Sequence, residues 1–64
     1  MKITDRINKV ASVKESYWNG GNNQLTVYYD PTTTGINELK VSVVNCLGEL
    51  YWDGAVEKVN FISL

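Results

Sequence analysis

Residues 36–52 read Ile36-Asn37-Glu38-Leu39-Lys40-Val41-Ser42-Val43-Val44-Asn45-Cys46-Leu47-Gly48-Glu49-Leu50-Tyr51-Trp52, and the fold turns on how this stretch is paired. As a helix, Ile36, Leu39, Val43, Cys46, Leu47 and Leu50 follow a 3.6-residue period. As strands, Leu39, Val41 and Val43 alternate with Lys40 and Ser42, and Asn45-Cys46-Leu47-Gly48 makes a type I turn with glycine in the left-handed position. A helix would carry Val41, Ser42, Val43, Val44, Asn45 and Gly48 internally. All are weak helix formers, together on the order of 3 kcal/mol worse than alanine. The same valines suit a pleated surface. Propensity therefore favours strands over 36–52.

On the C-terminal side, Asp53-Gly54 is a two-residue hairpin signal. A last strand is expected over residues 55–62, where Val59 and Phe61 alternate with Lys58 and Asn60. On the N-terminal side, Gln24-Leu25-Thr26-Val27-Tyr28-Tyr29-Asp30 has strict period-two patterning, with Leu25, Val27 and Tyr29 on one face. Asp30-Pro31 ends it, because proline has no N–H to donate. Residues 19–23 (Asn-Gly-Gly-Asn-Asn) form a loop whose residues tolerate positive φ. Residues 11–18 supply the other arm of a hairpin. Ala11, Val13 and Tyr17 share one face there, and Glu15 interrupts it, the mark of an edge strand or a bulge. In residues 2–10, Ile3, Ile7 and Val10 share one helical face. Thr4 is placed to cap it, and Asp5 suits the positive end of its dipole.

The sum is a mainly β domain with a short N-terminal helix, a small antiparallel sheet or barrel of about 4–5 strands. The alternative is an α+β ferredoxin-like domain with residues 36–48 helical. In that reading the element order resembles the ferredoxin-like domain of heavy-metal-associated proteins without its first strand. That family binds metal through a Cys-x-x-Cys before the first helix. Met1-Lys2-Ile3-Thr4 stands there instead, so the resemblance implies no metal role. Residues 39–51 are also similar to a hairpin of bacterial β-sandwich modules.

Composition narrows the function. The chain has 64 residues, net charge −1 and 44% apolar residues, 11% of the total being aromatic. One domain over 1–64 is expected, with marginal stability, since so small a chain buries only roughly 60% of its unfolded surface. Cys46 is the single cysteine and histidine is absent, so neither an internal disulfide nor a zinc site is expected. No cofactor is implied. Met1 to Val10 is interrupted by Asp5, Arg6, Asn8 and Lys9, unlike a signal peptide, and no apolar run approaches the roughly 20 residues of a membrane helix. A cytoplasmic location without membrane association follows as the expectation. Lys2, Arg6, Lys9, Lys14, Lys40 and Lys58 are scattered among seven acids, which disfavours nucleic acid as a partner.

Catalysis finds no constellation. Cys46 has no histidine to activate it and reads as a packing residue. Asp30, Glu38, Glu49, Asp53 and Glu57 belong to no motif, and the two glycines of the 19–23 loop lack the Gly-Lys-Ser/Thr ending of a phosphate loop. The aromatics carry the remaining signal. Tyr28 alternates out of the Leu25/Val27/Tyr29 face, and Trp18 and Trp52 each sit opposite an adjacent tyrosine. Trp18, Tyr28 and Trp52 are therefore the protein-interface candidates, since exposed rings anchor protein contacts. The expected function is a non-enzymatic protein-binding module acting on another protein, on itself as a homo-oligomer, or both. A small inhibitor or accessory protein of a phage or mobile element fits the size. It also fits the AT-rich codon bias of seven asparagines against two alanines. The alternative is a single-stranded nucleic-acid-binding β domain that stacks bases on Trp18, Tyr28 and Trp52 near Lys14, Lys40 or Lys58.

Overall fold

The computed structural model describes residues 3–64; Met1 and Lys2, at the start of the expected N-terminal helix, lie outside the described residues. The elements are α1 (Ile3–Ile7), β1 (Val13–Asn19), β2 (Gln24–Tyr29), α2 (Ile36–Leu47), α3 (Glu49–Trp52) and β3 (Lys58–Ser63). The three strands form one sheet in the order β1-β2-β3. β1 runs antiparallel to β2 and β3 runs parallel to it.

The β1–β2 hairpin stands as the sequence implies. Leu25 and Val27 are fully buried. Its four-residue loop is closed by Asn19, whose Oδ1 accepts the Gly21 N–H at 3.0 Å. The left-handed residue of the loop is Asn23 (φ 56°), and neither Gly20 nor Gly21 has positive φ. A bulge falls between Val13 and Glu15, where the register against β2 shifts. Its consequence is a change of phase. Val13 lies opposite Tyr29 on the core face, but Ser16 and Trp18 lie opposite Val27 and Leu25. One extra residue thus swings Glu15 and Tyr17 outward and Trp18 inward.

The 36–52 stretch is helical, which corrects the strand reading of this segment. Leu39, Val43 and Leu47 are buried at i, i+4, i+8, and Cys46 and Leu50 pack against the same core. Burying each such side chain contributes about 1.5–3 kcal/mol, so three outweigh a propensity deficit of about 3 kcal/mol. Propensity describes an isolated segment, and most helical stability in a protein comes from the packed face. Gly48 does have the positive φ expected of it (57°), but it caps α2, its N–H donating to Val44 O at 2.9 Å. Asp53 and Gly54 likewise close the short α3 and join no hairpin; the Asp53 N–H returns to Glu49 O at 2.7 Å.

The sheet is accordingly mixed and three-stranded, in place of the expected antiparallel sheet or barrel of 4–5 strands. A parallel neighbour cannot be reached by a tight turn; it needs a crossover, usually helical. Residues 30–57 make that crossover, with α2 as its body. The ferredoxin-like alternative has both its helix over 36–48 and its element order (helix, strand, strand, helix, strand) in the structure, with the short α3 added and β3 paired directly with β2 in parallel. The N-terminal helix is present as α1, anchored by buried Ile7, with Ile3 and Val10 packed at the core margin. Thr4 lies within α1 instead of capping it.

The helical reading can be tested against the strand reading by two truncations. A strand puts Leu39 and Val41 on one face; the helix buries Leu39 and leaves Val41 61% exposed. Leu39→Ala should therefore cost about 2–5 kcal/mol, while Val41→Ala should be neutral or stabilise by a few tenths of a kcal/mol. Equal losses in urea melts of the two variants would restore the strand arrangement.

Candidate binding surfaces

The core holds Ile7, Val13, Leu25, Val27, Leu39, Val43, Leu47 and Val56. Among the described residues no polar or charged residue is buried, and none of them form a group of three or more His, Cys, Asp or Glu that could hold a metal ion. Cys46 is half-buried, its thiol donating to Arg6 O at 3.1 Å. The five acids noted in the sequence include no buried member. What the fold offers is surface, and it offers three kinds.

The first is the uncovered face of the sheet. The helices lie against the Leu25/Val27 side, and the cross-strand rows on the other side are Glu15–Tyr28–Ile62 and Tyr17–Thr26–Asn60. Tyr17 is 63% exposed and Ile62 42%, while Tyr28 is half-buried between its neighbours. Asn60 Nδ2 donates to Gln24 Oε1 at 3.5 Å across this face.

The second is the outer edge of β3. Among the described residues, β3 has a strand neighbour on one side only. Beside that edge, Lys40, Val44, Tyr51, Glu57, Lys58, Val59 and Phe61 enclose a groove of ≈ 330 Å³. A second, shallower groove continues it past Tyr29, Ile36 and Ile62. The α2 contributors Ile36, Lys40 and Val44 recur at i, i+4, i+8. They form a row beside the core row, so the helix overhangs the edge strand. Of the groove residues, Tyr29, Val59 and Phe61 are half-buried and pack against the core.

The third is the loop after β2. Asp30 Oδ1 accepts the Thr32 N–H at 2.9 Å and the Thr32 Oγ1–H at 2.6 Å, and Thr33 Oγ1 donates to Asp30 O at 2.9 Å. These bonds explain the Thr32-Thr33-Thr34 run as turn chemistry. The Thr32 hydroxyl first, then its backbone N–H, hold the Asp30 carboxyl below its ordinary value, with a smaller pull from Lys14.

The three aromatic candidates do not converge. Trp18 is half-buried on the core side of β1, so it does not extend the Tyr28 patch as strict alternation from residue 11 would have it. Tyr17 takes that place on the open face. Tyr28 faces outward as expected. Trp52, 76% exposed on α3, meets the Tyr51 ring edge-on at 5.2 Å and 88°. Through Tyr51 it adjoins the groove. The groove residues Ile36, Val44, Tyr51, Val59 and Phe61 were not singled out from sequence. The signal available was Ile36 and Val44 at the margin of the helical stripe.

The Asp30 cap yields a titration test. A carboxyl with a depressed folded pKa adds stability above its unfolded pKa, and loses it as pH falls through the folded value. Thr32→Val removes the hydroxyl donor, so the Asp30 carbon resonance should titrate at higher pH in the variant. An unchanged midpoint by NMR would assign the shift to the backbone N–H and Lys14 alone. No protein-family model matches the chain, and no curated protein or solved structure is significantly similar to it.

Proposed function

We propose that the chain is a non-enzymatic protein-binding module, an inhibitor or accessory factor that acts by occupying a partner's surface. The β3 edge with its overhanging α2 flank is its docking surface. One observation carries this reading, the contrast between the two edges of the sheet. Natural sheets guard their edges with charges, bulges, proline or covering elements. The β1 edge has such guards. It is bulged at Val13/Glu15 and carries Lys14 and Glu15. α1 stands beside it, and Ser16 Oγ donates to Asn8 Oδ1 at 2.7 Å. β3 reads Lys-Val-Asn-Phe-Ile-Ser, without bulge, proline or any charge after Lys58.

An unguarded edge beside an apolar groove has the features of strand addition. Main-chain hydrogen bonds give affinity there, and alternate side chains fill the groove. Ile62→Lys would install the guard that β3 lacks, and Ile36→Lys would charge the groove end. Both residues are at least a third exposed, so each variant should melt within about 0.5 kcal/mol of the parent. Immobilised parent chain should retain a host protein that both variants lose and Trp52→Ala keeps. Equal retention by all four proteins would place binding elsewhere.

The open sheet face favours a second reading, a single-stranded nucleic-acid platform. Tyr17 and Tyr28 stand on adjacent strands of that face, with Lys58 on the third. Stacking is worth about 1–3 kcal/mol per base, but Glu15 shares the face and the net charge is −1. If it held, an oligonucleotide would bind with a salt-dependent affinity that Tyr17→Thr weakens. No shift at about 50 mM salt, where phosphate contacts are strongest, would dismiss it.

A further inference from the structure

We infer that Asn19 is a site of covalent self-modification. The Gly20 backbone nitrogen closes on the Asn19 side chain and converts it, through a succinimide, to aspartate and isoaspartate.

The sequence supplies the pair, and the loop supplies its geometry. Of the seven asparagines, Asn19 alone precedes a glycine. A Cβ on the following residue would crowd the attacking nitrogen, and Gly20 has none. Both residues are exposed. Among the described residues the Gly20 N–H donates to no backbone carbonyl, so no such bond must break before it reacts. Asn19 Oδ1 accepts the Gly21 N–H at 3.0 Å. That turn folds the side-chain carbonyl back over the Gly20 peptide, and the ring it closes contains both the attacking nitrogen and Cγ. The Gly21 N–H thus already sits on the oxygen where charge develops, as a donor of an oxyanion hole does.

The Gly20 nitrogen loses its proton to solvent base and bonds to Asn19 Cγ, leaving an oxyanion at Oδ1. As the intermediate collapses, the Cγ–Nδ2 bond breaks, and ammonia leaves with a proton from solvent. Water then opens the succinimide. Opening at Cγ gives aspartate. Opening at the main-chain carbonyl of residue 19 gives isoaspartate, in which the chain runs through Cγ. Either product adds one negative charge to a net −1.

The two products differ in their effect on the fold. Aspartate keeps the turn, because a carboxylate accepts the Gly21 N–H more strongly than an amide does. Isoaspartate adds one backbone atom to a four-residue loop. That loop is tied to the start of β3, since the Glu57 N–H donates to Asn23 O at 2.8 Å. The isoaspartyl chain therefore loosens this tie.

The full chain should be kept warm at mildly alkaline pH and then digested at Lys14 and Lys40. Peptide 15–40 should gain about one dalton at residue 19, and an isoaspartyl methyltransferase should label it. Gly20→Ala is the control. Gly20 has no positive φ, and an added Cβ would meet Trp18 Nε1 at 3.5 Å, an ordinary contact. The variant should melt with the parent and react at least about tenfold more slowly. In urea the parent should react at residue 19 no faster than in buffer. The isolated isoaspartyl form should exchange its Glu57 amide faster than the aspartyl form. An unchanged mass at residue 19, or a Gly20→Ala variant as fast as the parent, overturns the site. Faster reaction in urea overturns the part assigned to the loop, and equal Glu57 exchange overturns the tie to β3.

Discussion

The packing of Leu39, Val43 and Leu47 against Leu25 and Val27 holds this molecule together. Among the described residues, no other helix is long enough to cover most of the sheet. α1 has five residues and α3 four, and neither would be helical alone, because nucleation costs more than a single turn returns. Once α2 lies on the sheet, the rest is constrained. The chain leaving α2 must return along the same direction as β2, so β3 joins in parallel. α1 and the residues after α3 then close the two ends of the core through Ile7 and Val56.

The same constraint explains the asymmetry of the surface. One twelve-residue helix is called on to cover three strands. It sits toward the β3 side, where its Ile36, Lys40 and Val44 row reaches the groove. α1 completes the β1 side, with Ser16 and Asn8 tied together across the gap. The two margins end up chemically different. β1 is bulged and carries Lys14 and Glu15, whereas β3 is regular and carries Lys58 as its one charge. On the binding reading proposed above, the unguarded edge is the one put to use; a bare edge is otherwise an aggregation liability.

Much of this was legible in residues 11–30 and little of it beyond. Leu25, Val27 and Tyr29 alternate without exception, and a strand's period survives any tertiary context. Glu15 announced the bulge, but its effect on Trp18 and Tyr17 needed the register, because one extra residue reverses every later side chain. Over residues 36–52 local propensity points away from the helix for a definite reason. Val41 fits the strand's apolar face and falls outside the helical stripe, and three valines in four positions pull propensity toward β. What reversed the balance was area buried on Leu39, Val43 and Leu47, a quantity no local scale contains. The groove was invisible for the same reason. Its floor is β3 and its wall is α2, and their adjacency is a product of the crossover.

Val41 belongs to the same surface. It is a weak helix former on the outer side of α2, 61% exposed, where alanine or lysine would serve the helix better. Its neighbours Lys40 and Val44 also line the β3 groove. Exposed apolar residues scattered singly need no explanation. Here, however, exposed Ile36, Val41 and Tyr51 and half-buried Val44 line adjoining grooves around Lys40, and Trp52 stands against Tyr51. They flank the outer edge of β3, which has no strand neighbour among the described residues. A strand laid along β3 would cover the groove-lining part of this surface and leave Val41 and Trp52 at the rim, which is where adaptable outer contacts of an interface belong.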